Sequence, residues 1–186
     1  MERRHFIQTS LAGLPFVAGG QMQAPAVTTG KGFKIRAGEG RRHGHLKLLG
    51  VNANILDLKV SGKDTNGGLA IFEQISLSPG RGTPLHVHFK QDEVFYVLDG
   101  EYYFHVGEEK YALKTGESIF LPRQVPHAWT QVSQTGRMLV AFQPAGKMEE
   151  FFVTLATLKA EPTPQEIARI FAANEMKVVG PPLKIG

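Results

Sequence analysis

The chain has 186 residues, 42% hydrophobic and 20% charged, which suits one globular domain with a sizeable core and some length left for terminal extensions. It contains no cysteine, and this excludes disulfides, thiolate metal sites and cysteine nucleophiles. The net charge of +4 is a mild excess whose one concentration lies between Lys31 and Lys47; without stacking aromatics or a groove-reading helix it reads as a solvated loop, so no nucleic-acid partner is expected.

Residues 1–26 look separable from the fold. Arg3-Arg4 is followed by apolar residues, Leu11 to Gly20 is a short apolar stretch, and Ala24-Pro25-Ala26 has the small-x-small form of a cleavage site. The segment resembles a twin-arginine export signal, which implies a periplasmic or exported protein. The alternative is a basic amino-terminal tail on a cytoplasmic one. The apolar stretch is shorter than the roughly 20 residues that cross a bilayer, so no membrane span is expected. Residues 27–47 form a basic extension. Within it His43-Gly44-His45 has a glycine between its rings and no acid at a useful distance, and reads as loop.

From residue 48 to 146 short alternating runs are punctuated by glycine, proline and polar turns, the pattern of an antiparallel all-β barrel. Asn54 to Val60 and Leu69 to Leu77 read as strands. Glu93 to Leu98 and Glu101 to Val106 read as a hairpin closed by Asp99-Gly100, a pair suited to a two-residue turn with positive backbone angles. That register pairs Val97 with Tyr102, Phe95 with Phe104 and Glu93 with Val106, and paired residues share a face. These six would line the barrel interior, with Val94, Tyr96, Leu98 and Tyr103 outside. Both faces are then apolar, so the outer one needs a cover, and a homodimer is expected. Ala128 to Val132 and Arg137 to Gln143 are further strands. Residues 147–186 form a helical extension, with helices from Lys147 to Leu158 and from Pro164 to Met176 closing a barrel mouth or an outer face.

The chemistry concentrates in two places. His86-Val87-His88 lies on an extended segment, where side chains at i and i+2 project to one side and can share one metal ion. Glu93 follows five positions later and would reach the same point from a neighbouring strand. The second place is Gly116 to His127, where an apolar strand ends in a turn bracketed by Pro122 and Pro126 and His127 opens another extended run. A lone histidine there is more often a hydrogen-bonded core residue. Beside His86, His88 and Glu93 it completes a set of three imidazoles and one carboxylate that leaves positions open for water, dioxygen or substrate. Such donors suit one divalent ion of iron, manganese, nickel, copper, cobalt or zinc. The competing reading is an internal hydrogen-bonded cluster with no metal.

Residues 80 to 100 resemble the first motif of the cupin superfamily: glycine, five residues, His-x-His, four residues, glutamate, six residues, glycine. Gly116, Pro122 and His127 match the second motif, in which Gln124 replaces a glycine and Gln131 an asparagine. The resemblance spans roughly residues 48 to 158 and implies a double-stranded β-helix, the jelly-roll barrel, with His86, His88, Glu93 and His127 as metal ligands. Within the superfamily the chain looks most like single-domain proteins grouped with quercetin 2,3-dioxygenases. This implies a dioxygenase acting on a small enolisable or phenolic, flavonol-like substrate, with Glu93 as ligand and catalytic base. Phe95, Phe104, Trp129 and Gln131 are then the expected substrate walls, although an inward tryptophan is more often plain core. The alternatives are an isomerase or decarboxylase of a small hydroxyacid or sugar, for which only Gln131 and Arg123 offer polar groups, and a non-catalytic module binding a metal or small ligand.

Overall fold

The computed structural model describes residues 30–184, so the export signal expected over residues 1–26 lies outside it. In chain order the strands are β1 (His45–Lys47), β2 (Ile55–Val60), β3 (Ala70–Ser76), β4 (Pro84–His88), β5 (Asp92–Asp99), β6 (Glu101–Val106), β7 (Glu109–Lys114), β8 (Ser118–Leu121), β9 (His127–Gln131) and β10 (Gly136–Gln143). Helices α1 (Met148–Thr157) and α2 (Pro164–Ala173) follow, and β11 (Met176–Pro182) is the last element of the described residues. No helix among the described residues is long and apolar enough to cross a membrane.

Two antiparallel sheets face each other, one ordered β1-β2-β3-β10-β5-β8 and the other β11-β4-β9-β6-β7, as a jelly-roll barrel. Alternation sets the inner faces. Along β3, Ala70, Phe72, Gln74 and Ser76 are buried and the residues between them are partly exposed; along β10, Gly136, Met138, Val140 and Phe142 are buried. The core lies between the sheets, with Phe72, Phe95, Val97, Tyr102, Phe104 and Leu121 almost fully buried.

The hairpin expected across Asp99-Gly100 is not formed. β5 bonds to β10 and β8, whereas β6 bonds to β7 and β9 in the other sheet. Gly100 therefore turns a corner between sheets: it has φ +87°, and a Cβ there would meet Ser133 Oγ and Thr135 O at 2.5 Å. Glycine suits a corner as well as a hairpin turn. The expected inward residues nevertheless face inward, because period-two alternation sets the face whichever strand is the partner. Phe95 and Phe104 meet across the sandwich with ring centroids 5.2 Å apart. Of the expected outward residues, Val94 and Tyr96 are exposed and Leu98 and Tyr103 are half-buried.

The terminal segments belong to the barrel more fully than expected. β1 joins the edge of one sheet through β2, and β11, within the expected helical extension, pairs with β4 in the other. The loop before β1 does not leave its arginines free: Arg41 and Arg42 both pair with Asp64. Helix α2 starts at Pro164 behind a reciprocal cap between Thr163 and Glu166. Helix α1 buries Met148, Phe151, Phe152 and Leu155, and α2 buries Ile167 and Phe171. These side chains close one mouth of the barrel, where Phe152 packs edge-on to Phe72 and Phe171 to Phe151, each at 4.9 Å between ring centroids.

Candidate metal centre

Four strand positions converge at the covered mouth. His86 and His88 lie two residues apart on β4 and share its inner face. His127, the first residue of β9, is the direct partner of His86, so its ring falls on that face too. Glu93, near the start of β5, comes from the opposite sheet. One ligand atom from each residue lies within 4.8 Å of all the others, and all four residues are buried.

The ring orientations follow from local bonds. His86 Nδ1 donates to the Pro84 carbonyl at 2.8 Å and His127 Nδ1 to the Val125 carbonyl at 3.0 Å. A neutral imidazole has a single N–H, so Nε2 of each is left as a lone pair aimed into the cluster. The turn ahead of His127 keeps its shape without the usual glycine: Gln124 adopts φ +65° itself, and its N–H bonds to the His88 carbonyl at 2.7 Å.

Burial governs the charges. It lowers His86 to about 3, aided by repulsion from His127, and lowers His127 to about 4. Burial and the neighbouring rings also hold His88 well below the usual imidazole range. Burial raises Glu93 to about 8, against an opposing pull from His86. The approach of His127 Nε2 to Glu93 Oε2 at 3.3 Å is therefore not an ion pair in the metal-free protein, and His127 Nε2 has no hydrogen-bond partner. His86 Nε2 and His88 Nε2 stand 3.2 Å apart. Three imidazole nitrogens and a carboxylate gathered at one point, with His127 Nε2 a buried acceptor with nothing to accept, fit the residues to a shared cation. This donor set can hold one metal ion.

His86, His88 and Glu93 open on a cavity of about 50 Å³. Phe95, Trp129, Val140 and Phe142 line it from the barrel, and Phe151, Phe152 and Phe171 from the helices. Two expected wall residues lie elsewhere. Phe104 sits behind Phe95 and Trp129 in the core. Gln131 spends its amide on the chain, accepting from Ser78 N and donating to the carbonyls of Ser76, Ser133 and Gln134. Arg123 is outside too, paired with Asp92 on the surface. The polar lining is Asn52, Gln74 and Thr83, which sequence reasoning missed. Gln74 was legible as a polar residue at an inward position of β3. It stands in register with Met138 and Val97, four residues beyond Glu93 along β5, hence roughly 13 Å deeper.

Residues 74–142, from β3 to β10, match the family profile of the Cupin domain. These residues form a cupin domain. A stretch of 122 residues is 30% identical to quercetin 2,3-dioxygenase of Bacillus subtilis, covering 64% of this chain and 33% of that protein. A 48-residue stretch is 35% identical to an uncharacterised protein of Methanocaldococcus jannaschii, covering 26% and 38% of the two chains. The chain thus spans about a third of the length of these curated relatives. Among solved structures, an RmlC-like cupin of Shewanella frigidimarina is 23% identical at a TM-score of 0.45, over 52% of this chain and 80% of that one.

Proposed function

We propose that this cupin is a metal-dependent dioxygenase: His86, His88, Glu93 and His127 hold one divalent transition-metal ion beside a cavity that takes a small, neutral, enolisable or phenolic substrate. The observation that carries the reading is the convergence of four buried donor atoms within 4.8 Å, with three of their residues facing a largely apolar cavity. The likeness to quercetin 2,3-dioxygenase over 122 residues supports dioxygenation over other cupin chemistries.

Bound there, the ion would supply Lewis acidity toward a substrate hydroxyl and a path for electron exchange with dioxygen. The chain does the rest. Glu93 faces the cavity and, as carboxylate, accepts the hydroxyl proton. Phe95, Trp129 and Phe142 exclude water and grip an apolar ring or chain, while Gln74 offers a hydrogen bond at the far end. Among the described residues no lysine or arginine lines the cavity, so a hydroxyacid carboxylate would find no fixed cation from them, and a sugar would find few polar partners. That disfavours the isomerase and decarboxylase readings.

Size sharpens the substrate class. A cavity of roughly 150 Å³ holds benzene, and this one is about 50 Å³. A three-ring flavonol therefore does not fit the closed cavity, and of the enols and phenols a simple β-diketone or a single-ring catechol needs the smallest opening of the aromatic cover. The test is elemental analysis of protein purified without chelator, then anaerobic loading with such a compound and addition of labelled dioxygen. One metal per chain and both labelled atoms in the product are expected. A metal-loaded protein that consumes dioxygen with no enol or phenol would overturn the dioxygenase reading.

A further inference from the structure

The three histidines are not held alike. His86 and His127 each donate Nδ1–H to the carbonyl two residues back, but His88 Nδ1 is buried and has no hydrogen-bond partner. Beside the His88 ring lies the amide of Gln91, a residue with no exposed surface. Gln91 Nε2 donates to Glu175 Oε2 at 2.8 Å, and Glu175 is held in turn by Lys90 at 2.7 Å. The hydrogen bond from Lys90 keeps the Glu175 carboxyl below its usual range, so it stays a carboxylate, which can only accept. The orientation of the Gln91 amide is therefore fixed: Nε2 toward Glu175 and Oε1 away from it. Gln91 Oε1 is also buried without a partner.

An imidazole nitrogen and an amide oxygen, both buried and both without a hydrogen-bond partner among the described residues, thus stand side by side. We propose that Gln91 is a positioning residue for His88, its Oε1 accepting the His88 Nδ1–H and leaving Nε2 as the lone pair that faces the metal. The inference rests on the reading of this cluster as a metal centre. The surroundings are shaped for the amide. Gly146, at φ +50°, follows β10 over Gln91, and a Cβ there would overlap the Gln91 side chain, so glycine leaves the room the amide occupies. The relay Lys90, Glu175, Gln91, His88 also joins the centre to the turn between α2 and β11, where the Glu175 carbonyl accepts from Phe89 N at 3.0 Å. An outer partner of this kind fixes tautomer and ring orientation, and its loss costs about 10- to 100-fold in metal affinity.

Two measurements on the full chain test this. In the metal-free protein, nitrogen-15 NMR of the imidazoles should show His88 as the Nδ1–H tautomer, and Gln91→Met, which keeps the volume and removes the acceptor, should shift it toward Nε2–H. In a cobalt(II) titration, Gln91→Met should bind about 10- to 100-fold more weakly with altered visible bands. The exchange pair Gln91→Glu with Glu175→Gln, which again turns an oxygen toward His88, should recover affinity; a role in packing alone predicts that Gln91→Met binds like the parent. Wild-type His88 in the Nε2–H form, or unchanged cobalt binding in Gln91→Met, would overturn the proposal. If the parent binds no cobalt while the tautomer still responds to Gln91→Met, the metal reading falls and the positioning of His88 stands.

Discussion

The chain contains two His-x-His pairs, and the structure uses them in opposite ways. His86 and His88 sit on a regular strand, buried, with rings converging on each other and on His127 and Glu93. His43 lies in a bend and His45 opens β1, and each finds its own acid on a different element: His43 Nε2 meets Glu149 of α1 at 2.8 Å and His45 Nδ1 meets Asp57 of β2 at 2.7 Å. One pair gathers at a point and the other ties a strap to the barrel. What separates them is extended backbone and burial, which put both rings on one face and strip them of water.

The contrast breaks most sharply at the acids. Glu93→Gln, which keeps three imidazoles and shape but removes the proton acceptor, is expected to lower turnover by about 10²- to 10⁴-fold. Asp57→Asn, the matching change beside His45, is expected to leave turnover unchanged. Oxygen uptake at saturating substrate and full metal loading checks both, and equal losses would erase the distinction. Next in size is metal retention. His88→Ala should weaken binding by more than the roughly 100-fold reached by outer partners, whereas His45→Ala should bind as the parent does in competition with a chromophoric chelator.

How much of this was legible in the sequence depends on which physical signal each feature leaves. The convergence of His86, His88, Glu93 and His127 was legible because their spacings bring them together on an extended, folded-back chain, and the structure does bring their donor atoms within 4.8 Å. The inward faces of β5 and β6 were legible from alternation. Their partners were not, because Gly100 serves a sheet-to-sheet corner with the same positive φ that a hairpin needs. Gln131 was misread for a related reason: alternation placed it inward, but its side chain is consumed by Ser78 and by carbonyls at the barrel's other end. The acids that pair with His43 and His45 escaped notice because they lie 106 and 12 residues away, and no local spacing encodes such contacts.

The buried cluster also predicts a pH dependence that the exposed pair lacks. Above about pH 4 His86 and His127 are already neutral in the metal-free protein, and His88 is lowered as well, so none must lose a proton to bind metal. Glu93, raised to about 8, does carry a proton at neutral pH and must release it. Affinity should therefore rise about tenfold per pH unit from pH 5 toward 8 and level off above, with one proton released per metal. Calorimetry in buffers of different ionisation enthalpy counts that proton, and a flat profile would mean that Glu93 is ionised before metal arrives.

The smallest effect belongs to the strap. His43 Nε2 and Ser61 Oγ both bond the Glu149 carboxyl, and although burial raises its pKa, these contacts outweigh burial and hold it below the usual value. An acid lowered on folding contributes stability that is present at neutral pH and lost as pH falls through its folded value. The His43 ring is about a third exposed, so the pair is worth no more than about 1 kcal/mol. His43→Ala should lower stability to urea by that amount at pH 7, by less at pH 4, and leave metal affinity where it was. Metal loss in this variant would show instead that α1, which carries Phe151 and Phe152 over the cavity, transmits the grip of His43 to the centre, and the two His-x-His pairs would then be one functional unit rather than two.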